Sequence, residues 1–198
     1  MGKKIKEPKT TLEWASEYAK RGWAVFPCHR VNLDGTCTCH KGAECDRPGK
    51  HTIYSLEPES FKDASIDHLK LKEWFSKDDV YNIGLRTGNN PQGSLIVIDI
   101  DEGDGKSGGK TLELLETKYG RLPFTLVQRT GSGGRHLVYW GKPGIHIKST
   151  KNILRAEAGL PDRDAEGRKT QSHIDVRADG GYIVSVRRTH LEAPGDGC

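Results

Sequence analysis

The chain has 198 residues, a formal net charge of +4, 34% hydrophobic residues and 7% aromatic residues. That length allows one good core with a small inserted module and is cramped for two full domains. No apolar run is long enough to span a bilayer and no signal-peptide pattern opens the chain, so a soluble, cytoplasmic protein is expected.

Residues 1–9, with Lys3, Lys4, Lys6 and Lys9, read as a basic flexible tail. A second basic group, Arg129, Arg135, Lys142, Lys148, Lys151 and Arg155, comes later, and together they favour an anionic partner. Thr10-Thr11-Leu12-Glu13 has the capping-box pattern, Thr10 as cap and Glu13 three residues on. A helix should therefore run to Arg21, with Leu12, Ala15, Tyr18 and Ala19 as its apolar stripe and Gly22 in the left-handed closing position. Trp23–Phe26 reads as a strand ended by Pro27.

Four of the five cysteines lie between Cys28 and Cys45. Without a secretion signal, clustered cysteines point to metal rather than disulfides. Cys28, His29, Cys37, Cys39, His40, Cys45 and His51 sit among Gly, Asp and Pro with almost nothing apolar, and one zinc ion supplies the cohesion such a loop lacks. Cys37, Cys39, Cys45 and His51 are the preferred ligands. Cys28, His29 and His40 stay as alternatives, because one residue between Cys37 and Cys39 is tighter than the usual spacing. Next, Ser65 can cap a helix through about Ser76 that gives Leu69, Trp74 and Phe75 to the core, and Asn82–Gly88 reads as a short strand and turn.

Ser94-Leu95-Ile96-Val97-Ile98-Asp99-Ile100-Asp101 is the most informative stretch. Its apolar, β-branched run predicts a strand buried on both faces, and the period of two points Asp99 and Asp101 to the same side at its end. Two carboxylates that close are costly unless a cation offsets them. A P-loop is excluded because Ile100 stands where its first Gly belongs, and an EF-hand because Gly103, Asp104 and Lys110 occupy its diagnostic positions. An Asp-x-Asp nucleotide-sugar transferase or phosphatase stays open at this point.

A helix is predicted over Thr111–Tyr119, closed by Gly120, and strands over Thr125–Arg129 and His136–Trp140. The link Thr130-Gly131-Ser132-Gly133-Gly134-Arg135 is a hairpin candidate whose glycines allow backbone N–H groups to approach an anion. Lys148–Thr170 is polar and expected to be mobile. From His173 to Val186 the pattern is strand, Gly180-Gly181 turn, strand, and Asp175 completes a carboxylate trio if its strand neighbours the central one.

Gly22-Trp23-Ala24-Val25-Phe26-Pro27, Pro48-Gly49-Lys50-His51, Asn82–Gly88, Asp99-Ile100-Asp101, Ser132-Gly133-Gly134-Arg135-His136 and Ile174-Asp175-Val176-Arg177 with Gly180-Gly181-Tyr182 occur in a telling order. In that order they resemble the N-terminal catalytic domain of bifunctional primase-polymerases. These belong to the archaeo-eukaryotic primase superfamily found on plasmids, phages and other mobile elements. The resemblance covers most of the chain. It places the family's acid-x-acid motif on Asp99 and Asp101, its small-x-His motif on Gly134 and His136, and its third acid on Asp175. Thr52 departs from the Pro common in relatives, and only some relatives carry a zinc insertion. The chain also stops where relatives often continue into a helical domain and a helicase, so a catalytic piece that works with a helicase domain or protein outside it is expected.

The resemblance implies an α+β fold: one catalytic domain over 10–198, with an RRM-like catalytic sheet packed with an N-terminal α/β unit and a zinc-binding insertion at 28–51. It implies template-dependent DNA primase/polymerase activity on single-stranded DNA, using nucleoside triphosphates. Asp99, Asp101 and Asp175 would hold two Mg²⁺ or Mn²⁺ ions. His136, with Arg135 and the N–H groups of Ser132, Gly133 and Gly134, would bind the triphosphate beside Arg177, while Lys50 and Arg86 are weaker phosphate or template contacts. The alternatives are a metal-dependent nuclease, a nucleotide-sugar transferase using the same acids, or a non-catalytic zinc-bearing nucleic-acid-binding module.

Overall fold

The computed structural model describes residues 10–56, 59–77 and 81–185. Residues 1–9, expected as a tail, and Val186 lie outside them. In chain order the elements are α1 (Thr11–Lys20), β1 (Val25–Cys28), α2 (His68–Phe75), β2 (Asn82–Arg86), β3 (Gly88–Asn90), β4 (Gly93–Ile100) and β5 (Glu102–Gly103). There follow β6 (Lys106–Ser107), α3 (Gly108–Tyr119), β7 (Leu126–Arg129), β8 (Arg135–Gly141), β9 (Ile174–Arg177) and β10 (Tyr182–Ser185). The fold is α+β with antiparallel sheets. The chain forms two compact units: one runs to Arg86 and resumes at Tyr182, the other is Thr87–Gly181.

In the first unit, α1 starts where the capping box predicts. Thr10 Oγ1 accepts the Glu13 N–H at 3.2 Å, and the Thr10 N–H donates to Glu13 Oε2 at 3.1 Å. Its buried stripe is Thr11, Ala15 and Tyr18, with Leu12 and Ala19 only half-buried, and Gly22 at φ +79° turns the chain into the sheet. That sheet has the order β1-β2-β10. Contrary to the sequence reading, β1 does not end before Pro27 but carries it. The Val25 N–H points away from β2 to Ser65 O at 2.9 Å, and by the strand period the N–H that Pro27 lacks faces that same outer side. Ser65 is therefore a bridge partner of Val25 and not the cap of α2. Asp67 caps it, accepting the Leu69 N–H at 2.7 Å. With this later start the buried set is Leu71, Trp74 and Phe75, and Leu69, expected in the core, is 76% exposed.

In the second unit β4 is central: β8 pairs along one side, β3 and β9 along the other, and β7 pairs with β8. Leu95 and Val97 are fully buried while Ile96 and Ile98 are half-buried, so one face is closed and the other is not sealed as the apolar run suggests. β5 and β6 form a tight hairpin around Asp104 (φ +50°) and Gly105 (φ +80°), an Asp-Gly turn signal inside a stretch whose sequence left its shape open. α3 begins at Gly108, three residues before the predicted start. The Gly108 N–H reaches Asp101 O at 2.9 Å and the Gly109 N–H reaches the Glu102 carboxylate, so two otherwise orphaned donors are satisfied.

The stretch 148–170, expected to be mobile, is instead hydrogen-bonded. Thr150 pairs with Val176; Arg155 donates to Pro161 O at 2.9 Å and meets the Asp162 carboxylate; Asp164 accepts from the backbone N–H groups of Glu166 and Arg168. The strands either side of Gly180 form as predicted, yet they part: β9 joins β4 in this unit and β10 joins β2 in the other.

Asp179 ties this unit together. Its carboxylate accepts the Asn89 N–H at 2.7 Å and faces His146 Nδ1 at 3.0 Å, while its own N–H donates to Ile147 O at 2.8 Å. The Asn89 N–H, countered in part by burial and aided by His146, holds the Asp179 carboxyl below its ordinary value. A depressed carboxylate contributes stability that is present above its unfolded-state pKa and lost as pH falls through its folded value. Asp179→Ala should therefore lower the unfolding free energy measured by urea titration at pH 7, by roughly 1 to 3 kcal/mol. The gap from wild type should shrink as the melts are repeated at progressively more acid pH.

Candidate active site

The register of the second unit lines up four polar residues on one rung: Gln128 on β7, His136 on β8, Asp99 on β4 and Asp175 on β9. Residues directly opposed in antiparallel strands share a face, so these side chains stand together. Asp99 and Asp175 are only 13% and 9% exposed, and the Arg177 guanidinium bridges them, 3.2 Å from Asp99 Oδ2 and 2.8 Å from Asp175 Oδ2. On the other flank of Asp99, His136 Nε2 lies 3.4 Å from Asp99 Oδ1. Burial pushes the Asp99 carboxyl up, but His136 and Arg177 outweigh it and hold the group below the ordinary carboxylate value. The opposite nitrogen of His136, Nδ1, is buried and has no partner among the described residues.

Asp101 sits one residue past the end of β4, half-exposed, its N–H donated to His173 O at 2.9 Å. Its carboxylate pairs with Lys106 Nζ at 3.4 Å. Asp99 and Asp101 each already face a cation of the chain, Arg177 and Lys106 respectively. Oxygen donors in this number suit a hard divalent ion, and cationic side chains beside them show where positive charge is wanted.

The β7–β8 turn stands at the end of the same rung. The Thr130 N–H donates to Gly134 O at 2.9 Å and the Gly133 N–H to Thr130 O at 3.1 Å, so the Gly133 amide is engaged inside the turn. Gly134 passes so close to β4 that a Cβ there would lie 2.4 Å from Ile100 O. No larger residue fits that approach. Ser132, Gly133 and Arg135 are exposed, and His136 points inward. Lys50 and Arg86 belong to the other unit: Lys50 O accepts the Tyr182 hydroxyl at 2.9 Å, and Arg86 closes β2. Sequence reasoning missed Lys106 and Gln128. The first was legible from the Asp-Gly turn that returns it beside Asp101; the second, followed by the equally polar Arg129, carried no signal of its own.

The Cys/His loop lies in the first unit. One ligand atom each from Cys37, Cys39, Cys45 and His51 falls within 4.8 Å of the others. His51 Nε2 is 3.5 Å from Cys37 Sγ and 3.3 Å from Cys45 Sγ. Of the alternatives, Cys28 is buried in β1, His29 packs on the His51 ring at 4.7 Å and meets Thr38 Oγ1 at 3.1 Å, and His40 is exposed. Cys37, Cys39 and Cys45 pack on one another as a cluster of their own. Burial raises the Cys37 thiol, but the N–H groups of Gly49 and Cys39 and the side chains of Cys39 and His51 outweigh it and bring it down to about 6. Burial pushes the Cys45 thiol up, opposed by the Arg47 N–H and aided by Cys39 and Cys37. Three thiols and an imidazole converging around a stabilised thiolate fit a tetrahedral zinc site. Purified protein should carry about one zinc per chain, and Cys45→Ser should lose it together with the order of the loop. Elemental analysis and limited proteolysis, with and without chelator, check both.

Among the described residues no helix is long and apolar enough to cross a membrane. No curated protein and no solved structure matches the chain. Residues 15–196 of the 198 match the family described as bifunctional DNA primase/polymerase, N-terminal. With the motif residues His136, Asp99 and Asp175 on one rung and that match spanning nearly the whole sequence, the chain belongs to the bifunctional DNA primase/polymerase N-terminal domain family.

Proposed function

We propose that this protein is a template-dependent DNA primase/polymerase that joins nucleotides on single-stranded DNA by two-metal nucleotidyl transfer. The observation that carries the reading is the rung His136–Asp99–Asp175, with Asp101 just beyond it and Arg177 between the two buried acids. Its sheet, antiparallel with the acids together on one face, is taken as the RRM-like catalytic sheet of the family. Asp99, Asp101 and Asp175 would hold two Mg²⁺ or Mn²⁺ ions. Ions held there would supply Lewis acidity for the 3′ hydroxyl and positive charge for the α-phosphate and the departing pyrophosphate.

The chain's own residues do the rest. His136 is held by Asp99 on one nitrogen, and its buried Nδ1, without a partner among the described residues, would be its donor to a triphosphate oxygen. Arg177 and Lys106 neutralise these acids and would have to release them for ions and substrate to bind. Arg177 then becomes a cation beside the triphosphate, joined by the exposed Arg135 and the amides of Ser132 and Gly134. Lys50 and Arg86, on the other unit, serve template or phosphate, and the Cys/His loop serves the template or the first nucleotide.

A primer-synthesis assay on single-stranded DNA, run with Mg²⁺ or Mn²⁺ and with each nucleotide set, tests the reading. Template-complementary product supports it; shortened strands indicate a nuclease, template-independent transfer a sugar-nucleotide type of enzyme, and unchanged strands a binding module. Asp99→Ala, Asp101→Ala and Asp175→Ala should each abolish product while the chain still folds. His136→Ala should instead weaken nucleotide binding, by about 1 to 3 kcal/mol for a charge-assisted hydrogen bond, and be partly recovered at high nucleotide concentration. Near-normal synthesis by Asp175→Ala would sink the assignment.

A further inference from the structure

Asp175 has two oxygens, and the rung accounts for one. Oδ2 accepts from Arg177 at 2.8 Å, whereas Oδ1 accepts the backbone N–H of Asn152 at 2.8 Å. Asn152 comes from the segment 149–153, which runs along the side of β9 away from β4. There Thr150 and Val176 exchange both backbone hydrogen bonds, at 2.9 and 2.8 Å. A regular antiparallel ladder would next bring the Asn152 N–H to Ile174 O. The N–H found there, at 2.9 Å, belongs to Ile153. One extra residue is therefore inserted, a β-bulge, and Asn152 at φ +51° is where the chain absorbs it. The displaced N–H turns onto the Asp175 carboxylate. Asn is among the few residues that adopt this left-handed conformation readily, and its side-chain Oδ1 accepts the His173 N–H at 3.3 Å, which ties the bulge to the start of β9.

We propose that this bulge exists to orient the third carboxylate, and that Asn152 is its positioning residue. With Oδ1 held by a backbone amide, the Asp175 carboxylate cannot rotate, and it presents Oδ2 alone to a divalent ion. The inference rests on the reading of Asp175 as a metal ligand. Groups that orient a ligand from behind alter metal affinity without touching the ion.

The test is Mn²⁺ binding to the purified chain, measured by electron paramagnetic resonance without nucleotide or template, with melting in EDTA to show that each variant is folded. Asn152→Val, which resists the left-handed conformation, should bind Mn²⁺ roughly ten-fold more weakly. Asn152→Gly, which keeps both the bend and the N–H, should bind like wild type. If the valine variant does not fold, Asn152→Ala replaces it with the same expected order. Unchanged affinity in the valine or alanine variant overturns the proposal, and so does a glycine variant as weak as the valine one. Asp175→Ala separates the two levels: if it binds Mn²⁺ like wild type, the reading of Asp175 as a ligand fails and the inference goes with it. If it alone loses the ion, only the role of Asn152 is wrong.

Discussion

Two carboxylates set side by side on neighbouring strands, each nearly sealed from water, are the constraint around which the second unit is arranged. Opposed residues in an antiparallel pair stand ~5 Å apart, where two full charges repel by roughly 3 kcal/mol at an effective dielectric of about 20. Asp99 and Asp175 are held in that relation by the β4–β9 register, and only a cation between them makes it tolerable. Arg177 supplies it from the same strand as Asp175, two residues on and therefore on the same face. His136 adds a donor from the opposite flank. The positive charge that these acids demand is the charge that ions and a triphosphate-binding arginine would bring to the proposed reaction.

The surrounding backbone is shaped to leave that rung undistorted. Gly134 lets the β7–β8 turn press against Ile100, so His136 enters the rung directly from the turn. The β5–β6 hairpin folds back at Asp104-Gly105, which returns Lys106 to Asp101 and delivers Glu102 to the first turn of α3. On the far side, the bulge at Asn152 covers β9 and meets Asp175. β4, β8 and β9 are thus each gripped beside the rung by a turn or bulge, which would suit the need to hold reacting groups to within a fraction of an ångström.

The Cys/His loop solves a different problem. Its buried side chains are Cys37, Cys39 and Cys45 themselves, so no apolar core exists to order it. Short hydrogen-bonded links, Cys28 opposite Thr52 and Val31 opposite Cys37, bring the ends of the loop together and converge the thiols on His51. A loop closed in this way would gain its cohesion from ligand bonds to a zinc ion, as small metal modules do.

Local chemistry was legible in the residues alone. The Thr10 and Glu13 capping box, the closing role of Gly22, the β-branched run before Asp99, the glycine hairpin before His136 and the cysteine grouping each depend on neighbours a few positions away, and sequence records those directly. Where the sequence reading failed, a distant partner had overridden a local signal. Pro27 stays in β1 because its missing donor faces outward beside Ser65, and that same pairing removes Ser65 from the helix cap. The polar stretch 148–170, loose by composition, is ordered by the edge of β9. What only the tertiary structure decided is which strands lie side by side: that Asp175 is opposite Asp99, that Gln128 joins their rung, and that β9 and β10 part into different sheets. Strand pairing across scores of residues depends on which faces bury together and not on any local pattern, so the acids could be named from the sequence but their registration, and the amide of Asn152 behind them, could not.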